Sequence, residues 1–401
     1  MRLVHFSDLH LGFRQYQRLT PGGINQREAD VARSFQAAID KILTLRPDLV
    51  LIGGDVFHNV RPTNPAIIHA FLQFSRLRAA LPETPVVLVA GNHDTPRAAE
   101  TGSILRLFRE LAMNVAYSEP QRFYFAERDL AVLAVPDVRA RPPALTPDRT
   151  ARHNVLLLHG EVQGVLPAHV AATDRAAIEI PREALGAANW DYVALGHYHV
   201  YREIEPNAFY SGSIDYTSAN TWGELYEERL AGVPGKGMIE HDLRSGTHVF
   251  HPLPPSRTLV DLPHVSARGL TVAEVDERIR AAVDGCDGGI DEKIVRLIVR
   301  DLPRHIARDL DHKSLRDYRR RALHFHLDAR RPEIVRLSGQ AAPGRRPSLA
   351  DVVREKLMSR VLESDIDRQE LVALGLRYLS EAESSIGGTA AGLDAALDGS
   401  A

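Results

Sequence analysis

The chain contains 401 residues, of which 44% are hydrophobic and 25% are charged, and its formal net charge is −3. These values are ordinary for a globular protein of two or three domains and do not indicate a disordered or fibrous chain. They also argue against a uniformly basic nucleic-acid binder, although a local basic face is compatible with them. The start MRLVHFSD lacks the features of a signal peptide, and no run approaches the roughly 18 apolar residues of a membrane span. We therefore expect a cytoplasmic protein with no membrane partner.

The cysteine content limits the kind of metal site that this chain can build. Cys286 is the single cysteine, which excludes an internal disulfide framework and a thiolate zinc site. A metal ion would have to be held by His, Asp, Asn or Glu, and the chain contains 18 histidines.

Through about residue 200, short apolar runs recur, and each ends in a polar turn that contains glycine or histidine. In chain order they are LVHF before SDLH, DLVLI before GGD, VVLVA before GNHD, NVLLL before HGE, and DYVAL before GHYH. Helical patterns separate the first three, as in EADVARSFQAAIDKILTL, where Val31, Phe35, Ile39 and Ile42 recur at three- and four-residue steps. This alternation predicts a mainly parallel sheet covered by helices. Ligands bind such sheets at the carboxyl ends of the strands, where all five polar turns lie.

The pattern changes after about residue 212. GKGMIEHDL and THVFHPL read as strands that either finish this sheet or build a second one, and PLPPSR then interrupts the pattern. A smaller α/β unit follows, with strands at TLVDLP and KIVRLIVRDL and helices at TVAEVDERIRAAV and near SLRDYRRRAL.

The last segments read as a linker, helices and a tail. We expect one domain over 1–256, a second over 257–338, a Gly/Pro/Ser-rich linker over 339–347, a helical segment over 348–385 and a disordered tail over 386–401. Ser348 and Asp351 fit a capping box that opens the first of two amphipathic helices. Such helices cannot bury their apolar stripes alone, so they require either the main domain or a partner.

The polar side chains that follow the five strands are all of types that ligate divalent ions or transfer protons: Asp8, His10, Asp55, Asn92, His93, His159, His197 and His199. Taken singly, Asp8 could be a turn or N-cap residue, His159 a hydrogen-bonded core histidine and Asn92 a left-handed turn residue. Their recurrence at five strand ends favours one shared site. Carboxylate, amide and imidazole groups, with no thiolate among them, are suitable ligands for two divalent ions such as manganese or iron. Asp55, on the GGD turn, is the natural bridge for ions about 3.5–4 Å apart, as in phosphate-ester hydrolysis.

Five motifs occur in the order found in calcineurin-like metallophosphoesterases, which the chain resembles. They are DLH, GGDVFH, GNHD, the isolated HG and GHYH. Within that superfamily it is most similar to the Mre-eleven/SbcD nucleases, which process DNA ends in double-strand-break repair. The similarity lies in DLHLGFRQY, QREADVARSF, RPTNP, GNHDTPR and SGSIDYT, and it covers about the first 250 residues. It implies an α/β fold: a metallophosphoesterase β-sandwich flanked by helices, with a smaller α/β capping domain and C-terminal helices.

The resemblance also implies roles for residues of this chain. One metal ion would be held by Asp8, His10, Asp55 and His199, and the other by Asp55, Asn92, His159 and His197. Manganese is the expected ion, with iron and magnesium as alternatives. His93 would stabilise the transition state and help to protonate the leaving 3′ oxygen, and His58 would lie close to the scissile phosphate. The alternative for His58 is a surface histidine at the start of a loop.

A DNA substrate requires phosphate contacts beyond the metal ions. Between residues 293 and 336 the chain has thirteen Lys or Arg against six Asp or Glu, a local balance of +7. The predicted DNA contacts in this segment lie on one helix: Lys313, Arg316, Arg319, Arg320 and Arg321. A solvated, Arg-rich helix face is the alternative. Arg14 and Tyr16, after DLHLG, are further candidates.

The family resemblance implies protein partners as well. The two C-terminal helices would bind a Rad-fifty/SbcC type ATPase, although docking back onto their own domain would bury them equally well. Helices of the nuclease domain would form a homodimer.

The preferred hypothesis is therefore a manganese-dependent DNA nuclease, both endonuclease and 3′–5′ exonuclease, that acts with an SMC-like ATPase in DNA repair. It would be nucleoid-associated if the source is prokaryotic. Two alternatives remain: a phosphodiesterase of nucleotides or other small phosphodiesters, and a structural subunit that tethers DNA or the ATPase.

Overall fold

A computed structural model describes residues 1–96, 102–138, 144–165, 175–332, 348–359 and 367–380. Residues 1–332 form one compact unit, and residues 333–401 belong to a second one. The predicted boundary near residue 256 lies inside the first unit, so the division into a nuclease and a capping domain stays a prediction. The predicted linker 339–347 and tail 386–401 lie outside the described residues.

The strands of the described residues are, in chain order, β1 (Arg2–Phe6), β2 (Leu49–Ile52), β3 (Val86–Val89), β4 (Asn114–Ala116), β5 (Gln121–Phe125), β6 (Leu130–Val135), β7 (His153–His159), β8 (Glu161–Val162), β9 (Glu179–Ile180), β10 (Tyr192–Gly196), β11 (Arg202–Glu205), β12 (Ala208–Tyr210), β13 (Gly237–Asp242), β14 (Thr247–Pro252), β15 (Leu259–Asp261), β16 (Val265–Ser266), β17 (Ile294–Arg300) and β18 (His324–Ala329).

The α-helices of these residues are α1 (Gln26–Leu45), α2 (Asn64–Ala80), α3 (Arg182–Leu185), α4 (Thr221–Ala231), α5 (Val272–Asp284), α6 (Arg304–Asp309), α7 (His312–Arg321), α8 (Leu349–Ser359) and a further helical stretch over 368–380. Short 3-10 helices cover Ile104–Leu111, Ala126–Arg128 and Ala187–Asn189. None of these helices has the length and apolar character needed to cross a lipid bilayer.

Two six-stranded sheets form a β-sandwich. The first has the order β14-β13-β1-β2-β3-β4, and the second has the order β11-β12-β10-β7-β6-β5. Leu51 and Val89 of the first sheet pack in one buried cluster with Leu157 and Phe209 of the second. The fold class inferred from the family resemblance is thereby confirmed.

The expectation of one mainly parallel sheet for all five apolar runs is wrong. β1, β2 and β3 lie in the first sheet, whereas β7 and β10 lie in the second. The segments GKGMIEHDL and THVFHPL, as β13 and β14, complete the first sheet on its antiparallel side. A run such as LVLI is buried at every position, and its sequence does not reveal whether a helix or a second sheet covers each face.

The predicted helices on the first sheet are confirmed. α1 begins after Asn25, whose side chain accepts a hydrogen bond from the Arg27 N–H as an N-cap. Its predicted stripe is fully buried, including Phe35 and Ile39, and packs with Phe6 and Ile52 of the sheet. α1 and α2 therefore cover the face of this sheet that points away from the second one.

A third, four-stranded sheet follows in the same compact unit. Its central strand β17 pairs in parallel with β15, β16 and β18. The helices α5 and α7 contribute Val275, Ile279 and Leu315 to its core, which is separate from the cores of the sandwich. The strands and helices predicted for the smaller α/β unit are confirmed.

In the second unit, α8 and a helical stretch over 368–380 are described. The predicted capping box is confirmed, because the Asp351 N–H donates to Ser348 Oγ while the Asp351 carboxylate accepts from the Ser348 N–H. Leu374 and Tyr378 are exposed on the later helix.

Candidate metal centre

Polar turns after five strands of the sandwich meet at one place. Asp8 and His10 follow β1, Asp55 follows β2, and Asn92 and His93 follow β3. From the second sheet, β7 ends at His159, and His197 and His199 follow β10. Ligand atoms of Asp8, Asp55 and His159 lie within 4.8 Å of one another, as do those of Asp8, His10 and His199. The two sheets thus contribute to one cluster.

Asp55 lies between the two predicted sets of ligands. Its Oδ2 atom is 3.7 Å from His10 Nε2 and 3.6 Å from His159 Nε2. His10 belongs to the set predicted for one ion and His159 to the set predicted for the other. A single carboxylate oxygen that faces both imidazoles has the position that a bridging ligand requires.

The remaining predicted ligands fall into the same two groups. In the first group, His199 Nε2 is 3.0 Å from His10 Nε2 and 4.0 Å from Asp8 Oδ1. In the second group, Asn92 Oδ1 is 3.1 Å from His159 Nε2 and 3.2 Å from His197 Nδ1. Nitrogen and oxygen atoms in each group therefore converge on a common point.

Hydrogen bonds on the far side of the rings set which nitrogen faces the cluster. His159 Nδ1 is 2.7 Å from the Gly53 carbonyl oxygen, and His199 Nδ1 is 3.2 Å from Glu224 Oε1. Both oxygens can only accept, so each Nδ1 carries a hydrogen, and in the neutral imidazole each Nε2 presents a lone pair to the cluster.

The backbone is in the left-handed region at several of these positions. Asp8, His10 and Asp55 have φ values of 55°, 46° and 49°, and His197 has 109°. Non-glycine residues adopt this region at a cost, and such strain is concentrated at functional sites. The turns that bring these four side chains into the cluster therefore contain left-handed backbone at each of them.

Glycine is required where these turns approach one another. Gly54 has φ +98°, and a Cβ atom there would lie 2.5 Å from His159 Nδ1. A Cβ atom at Gly91 would lie 2.1 Å from Asp55 Oδ1. Any side chain at either position would push a predicted ligand out of place.

The donor set fits divalent cations. The side chains of Asp8 and Asp55 are 0% and 1% exposed. Burial raises the pKa of the Asp55 carboxyl group, and the nearby charge of Asp8 also acts to raise it. Burial, followed by the charges of His93 and His199, lowers the pKa of His10 well below its ordinary value of 6.5. Two buried carboxylates beside a neutral imidazole need a positive charge, and oxygen and imidazole ligands suit manganese, iron or magnesium.

His58 and His93 lie on the more open side of the cluster. Both are half-buried, and their rings stack with centroids 5.2 Å apart. His58 Nδ1 is 3.3 Å from His10 Nδ1, and His10, His58 and His93 have ligand atoms within 4.8 Å of one another. Distance alone would therefore also allow these two histidines to act as ligands, whereas the family resemblance implies a catalytic role for them.

Three buried carboxylates that support the cluster were not predicted from the sequence. Asp94 accepts hydrogen bonds from the Val56, Phe57 and Gly91 N–H groups, and burial, followed by the charge of Asp55, raises the pKa of Asp94 to about 7. Glu161 lies 3.4 Å from His197 Nε2. The third is Glu224, beside His199. Asp94 and Glu161 complete the motifs GNHD and HGE, which could have identified them, whereas Glu224 lies on a helix outside every motif.

The five basic residues predicted to contact DNA lie on α7. Lys313, Arg316, Arg319 and Arg320 are exposed, and Arg321 is half-buried. Arg320 pairs with Asp317, and Arg321 pairs with Asp291 at 2.9 Å. Among the contacts of the described residues, none joins these five side chains to the metal cluster.

Tyr16 is in contact with the third sheet. Its ring stacks on His324 of β18 with centroids 4.0 Å apart and planes 14° apart. The two rings line a cleft of about 450 Å³ together with Gln17, Arg18, Arg319 and Leu323. Arg14 is paired through Nε with Glu28 at 2.7 Å and remains more than half exposed. The loop after His10 thus forms an aromatic and basic cleft with the segment around α7.

Comparison with known proteins gives a family and a set of relatives. Residues 1–201 match the model of the calcineurin-like phosphoesterase family. Proteins named DNA double-strand break repair protein Mre11 are similar to this chain. The protein from Methanococcus maripaludis is 27% identical over 61% of this chain and 63% of its own length. The one from Methanocaldococcus jannaschii is 28% identical over 59% and 61%, and the one from Sulfurisphaera tokodaii is 30% identical over 59% and 57%. The match with these relatives therefore spans about six tenths of their length.

Proposed function

The chain belongs to the calcineurin-like phosphoesterase family, and from this premise we propose that it is a dinuclear-metal DNA nuclease. The observation that carries the proposal is the convergence of polar turns from five strands on two ligand groups that share Asp55. The similar proteins named for DNA double-strand break repair support DNA as the substrate.

The proposed ligands are those implied by the family resemblance. Asp8, His10, Asp55 and His199 would hold one ion, and Asp55, Asn92, His159 and His197 would hold the other. Two bound ions supply an activated water for attack on phosphorus and offset charge on the phosphate oxygens. Manganese is the proposed ion, with iron and magnesium as alternatives.

The chain's own side chains contribute to the reaction on the open side of the cluster. His93 and His58 are half-buried and are therefore accessible to a phosphodiester that approaches the buried carboxylates. In the protonated form, His93 can deliver a proton from Nε2 to the leaving 3′ oxygen. His58, stacked on His93, would lie beside the scissile phosphate.

The cleft between Tyr16 and Arg319 is the proposed path of the DNA. Aromatic rings beside arginines bind nucleic acid by stacking on bases and pairing with phosphates. Lys313, Arg316, Arg320, Arg321 and Arg14 would add phosphate contacts. The proposal includes endonuclease and 3′–5′ exonuclease activity in double-strand-break repair.

The partners and location are proposals as well. The exposed apolar side chains of the C-terminal helices, such as Leu374 and Tyr378, suit a Rad-fifty/SbcC type ATPase. We also propose a homodimer in the cytoplasm, close to DNA.

The decisive test is an assay of DNA cleavage by the purified chain with manganese, with magnesium and after removal of metal by a chelator. Cleavage that requires a divalent ion is expected. Robust turnover of small phosphodiesters with no DNA binding would instead favour a nucleotide phosphodiesterase. Metal binding with no hydrolysis of either substrate would favour a structural tether.

A further inference from the structure

A buried ion pair contacts His199 at two points. Glu224 of α4 lies 3.2 Å from His199 Nδ1 through Oε1 and 2.5 Å from Lys236 Nζ through Oε2. The same ammonium donates to the His199 backbone carbonyl oxygen at 2.8 Å. We propose that Glu224 and Lys236 are positioning residues that hold the His199 imidazole for metal binding. The inference rests on the metal centre of the proposed function.

The contact with Glu224 determines which nitrogen of His199 is available. A carboxylate accepts, so Nδ1 carries a hydrogen, and in the neutral imidazole Nε2 presents its lone pair toward Asp8 and His10. A carboxylate that accepts a hydrogen bond from a metal-binding imidazole fixes the orientation of the ring and makes the imidazole a stronger ligand. Loss of such a partner typically weakens metal affinity about 10- to 100-fold.

Lys236 keeps the carboxylate of Glu224 in place. Glu224 is 7% exposed and Lys236 is 3% exposed, so neither charge is solvated well by water. Lys236 also pairs with Glu228 at 2.9 Å, one helical turn beyond Glu224. Because a buried charge is costly without a partner, the ammonium fixes the position of both carboxylates.

The local backbone is built to place Lys236 here. Gly235 has φ +102°, and a Cβ atom at Gly237 would lie 2.4 Å from the His251 carbonyl oxygen. Glycines on both sides thus let the chain turn into β13 with the lysine side chain directed at α4 and His199.

Glu228 provides a matched control. It lies on the same helix, is buried and pairs with the same lysine, but its other contact is with the Tyr216 hydroxyl and not with a predicted ligand. Glu228→Gln therefore removes one negative charge beside Lys236 while the Glu224–His199 contact stays.

The test is a titration of the full chain with Mn²⁺ alone. Calorimetry and the electron paramagnetic resonance of the bound ion measure the binding. We expect Glu224→Gln to weaken one of two sites about 10- to 100-fold and to leave the other unchanged. Glu228→Gln is expected to retain both affinities. Unchanged affinities in folded Glu224→Gln protein would overturn the proposal.

A double-mutant cycle separates positioning from a general structural effect. If Glu224 acts through His199, Glu224→Gln should cause no further loss of affinity in a His199→Asn background. An equal loss in both backgrounds would overturn the proposal. Should Glu224→Gln fail to fold, Glu224→Asp keeps the charge for Lys236 but shortens the reach to His199, and unchanged Mn²⁺ affinity in that variant would also contradict the proposal.

The outcome is distinguishable from failure of the proposed function because the titration uses no DNA. A wild-type chain that binds two Mn²⁺ ions but does not cleave DNA would contradict the nuclease and leave this inference standing. A wild-type chain that binds no Mn²⁺ would overturn both.

Discussion

His93 Nδ1 lies 2.8 Å from the backbone carbonyl oxygen of His58. The carbonyl can only accept, so Nδ1 carries a hydrogen, and a second proton on the imidazolium must be on Nε2. The loop that contains His58 therefore orients His93 through its backbone as well as through the stacked ring. In the proposed reaction, Nε2 of His93 would therefore be the atom that delivers the proton.

Replacement of His93 should separate chemistry from metal binding. We expect His93→Gln to reduce Mn²⁺-dependent DNA cleavage about 100- to 10,000-fold, the typical contribution of a general acid. Binding of Mn²⁺, measured by calorimetry, should be retained because Asp55 accepts from the backbone N–H of His93, which the variant keeps. The exposed His305, on α6, provides the control variant His305→Gln. Loss of Mn²⁺ binding in His93→Gln would instead identify His93 as a ligand.

Replacement of Asp55 should affect both ions. Its Oδ2 atom faces His10 and His159, which belong to different ligand groups. We expect Asp55→Asn to weaken both Mn²⁺ sites and to abolish cleavage, whereas His159→Asn should weaken one site first. Calorimetric stoichiometry distinguishes the two variants. Weakening of a single site in Asp55→Asn would contradict a bridging role.

Neighbouring arginines on α7 should differ in their contribution to DNA binding. Arg319 lines the cleft with Tyr16, whereas Arg320 is paired with Asp317. Loss of one phosphate contact lowers the slope of log affinity against log salt by about 0.9 for duplex DNA. We expect this change for Arg319→Ala and a smaller one for Arg320→Ala, measured by fluorescence anisotropy over a salt series. Equal slopes in both variants would indicate a solvated helix face.

Acid should destabilise the sandwich through His241. This residue of β13 is 1% exposed, its ring lies 4.6 Å from that of Tyr192, and burial, followed by the charge of His248, lowers its pKa to about 4. A histidine whose pKa is about 6.5 in the unfolded chain then binds protons more readily after unfolding. Its contribution to stability is complete above about pH 6.5 and is lost as the pH falls toward about 4.

His241→Phe should reduce this dependence. Between about pH 7.5 and about pH 5, the wild-type chain should lose about 1–2 kcal/mol more of its free energy of unfolding than the variant does. Urea denaturation at the two pH values measures the difference. The same loss in both proteins would assign the acid sensitivity to other groups.

Several structural features could be predicted from local sequence alone. The stripe that includes Phe35 and Ile39 predicts α1 because helical periodicity depends on neighbours three and four residues apart. The capping box of Ser348 and Asp351 is equally local. The division of β1 and β10 between two sheets could not be predicted this way, because a fully apolar strand is compatible with burial under either a helix or a sheet.

The types of side chain in the candidate metal centre could be predicted from the sequence, because Asp8, Asp55 and His159 lie at or shortly after the ends of apolar runs. Their grouping around Asp55, and the residues that contact them from outside the motifs, became evident from the folded structure. Glu224 lies on a helix, 25 residues later in the chain than His199, and contacts it. Lys236, the residue before β13, contacts both His199 and Glu224. Such contacts depend on how the sheets and helices pack, and the spacing of residues along the sequence does not predict that packing.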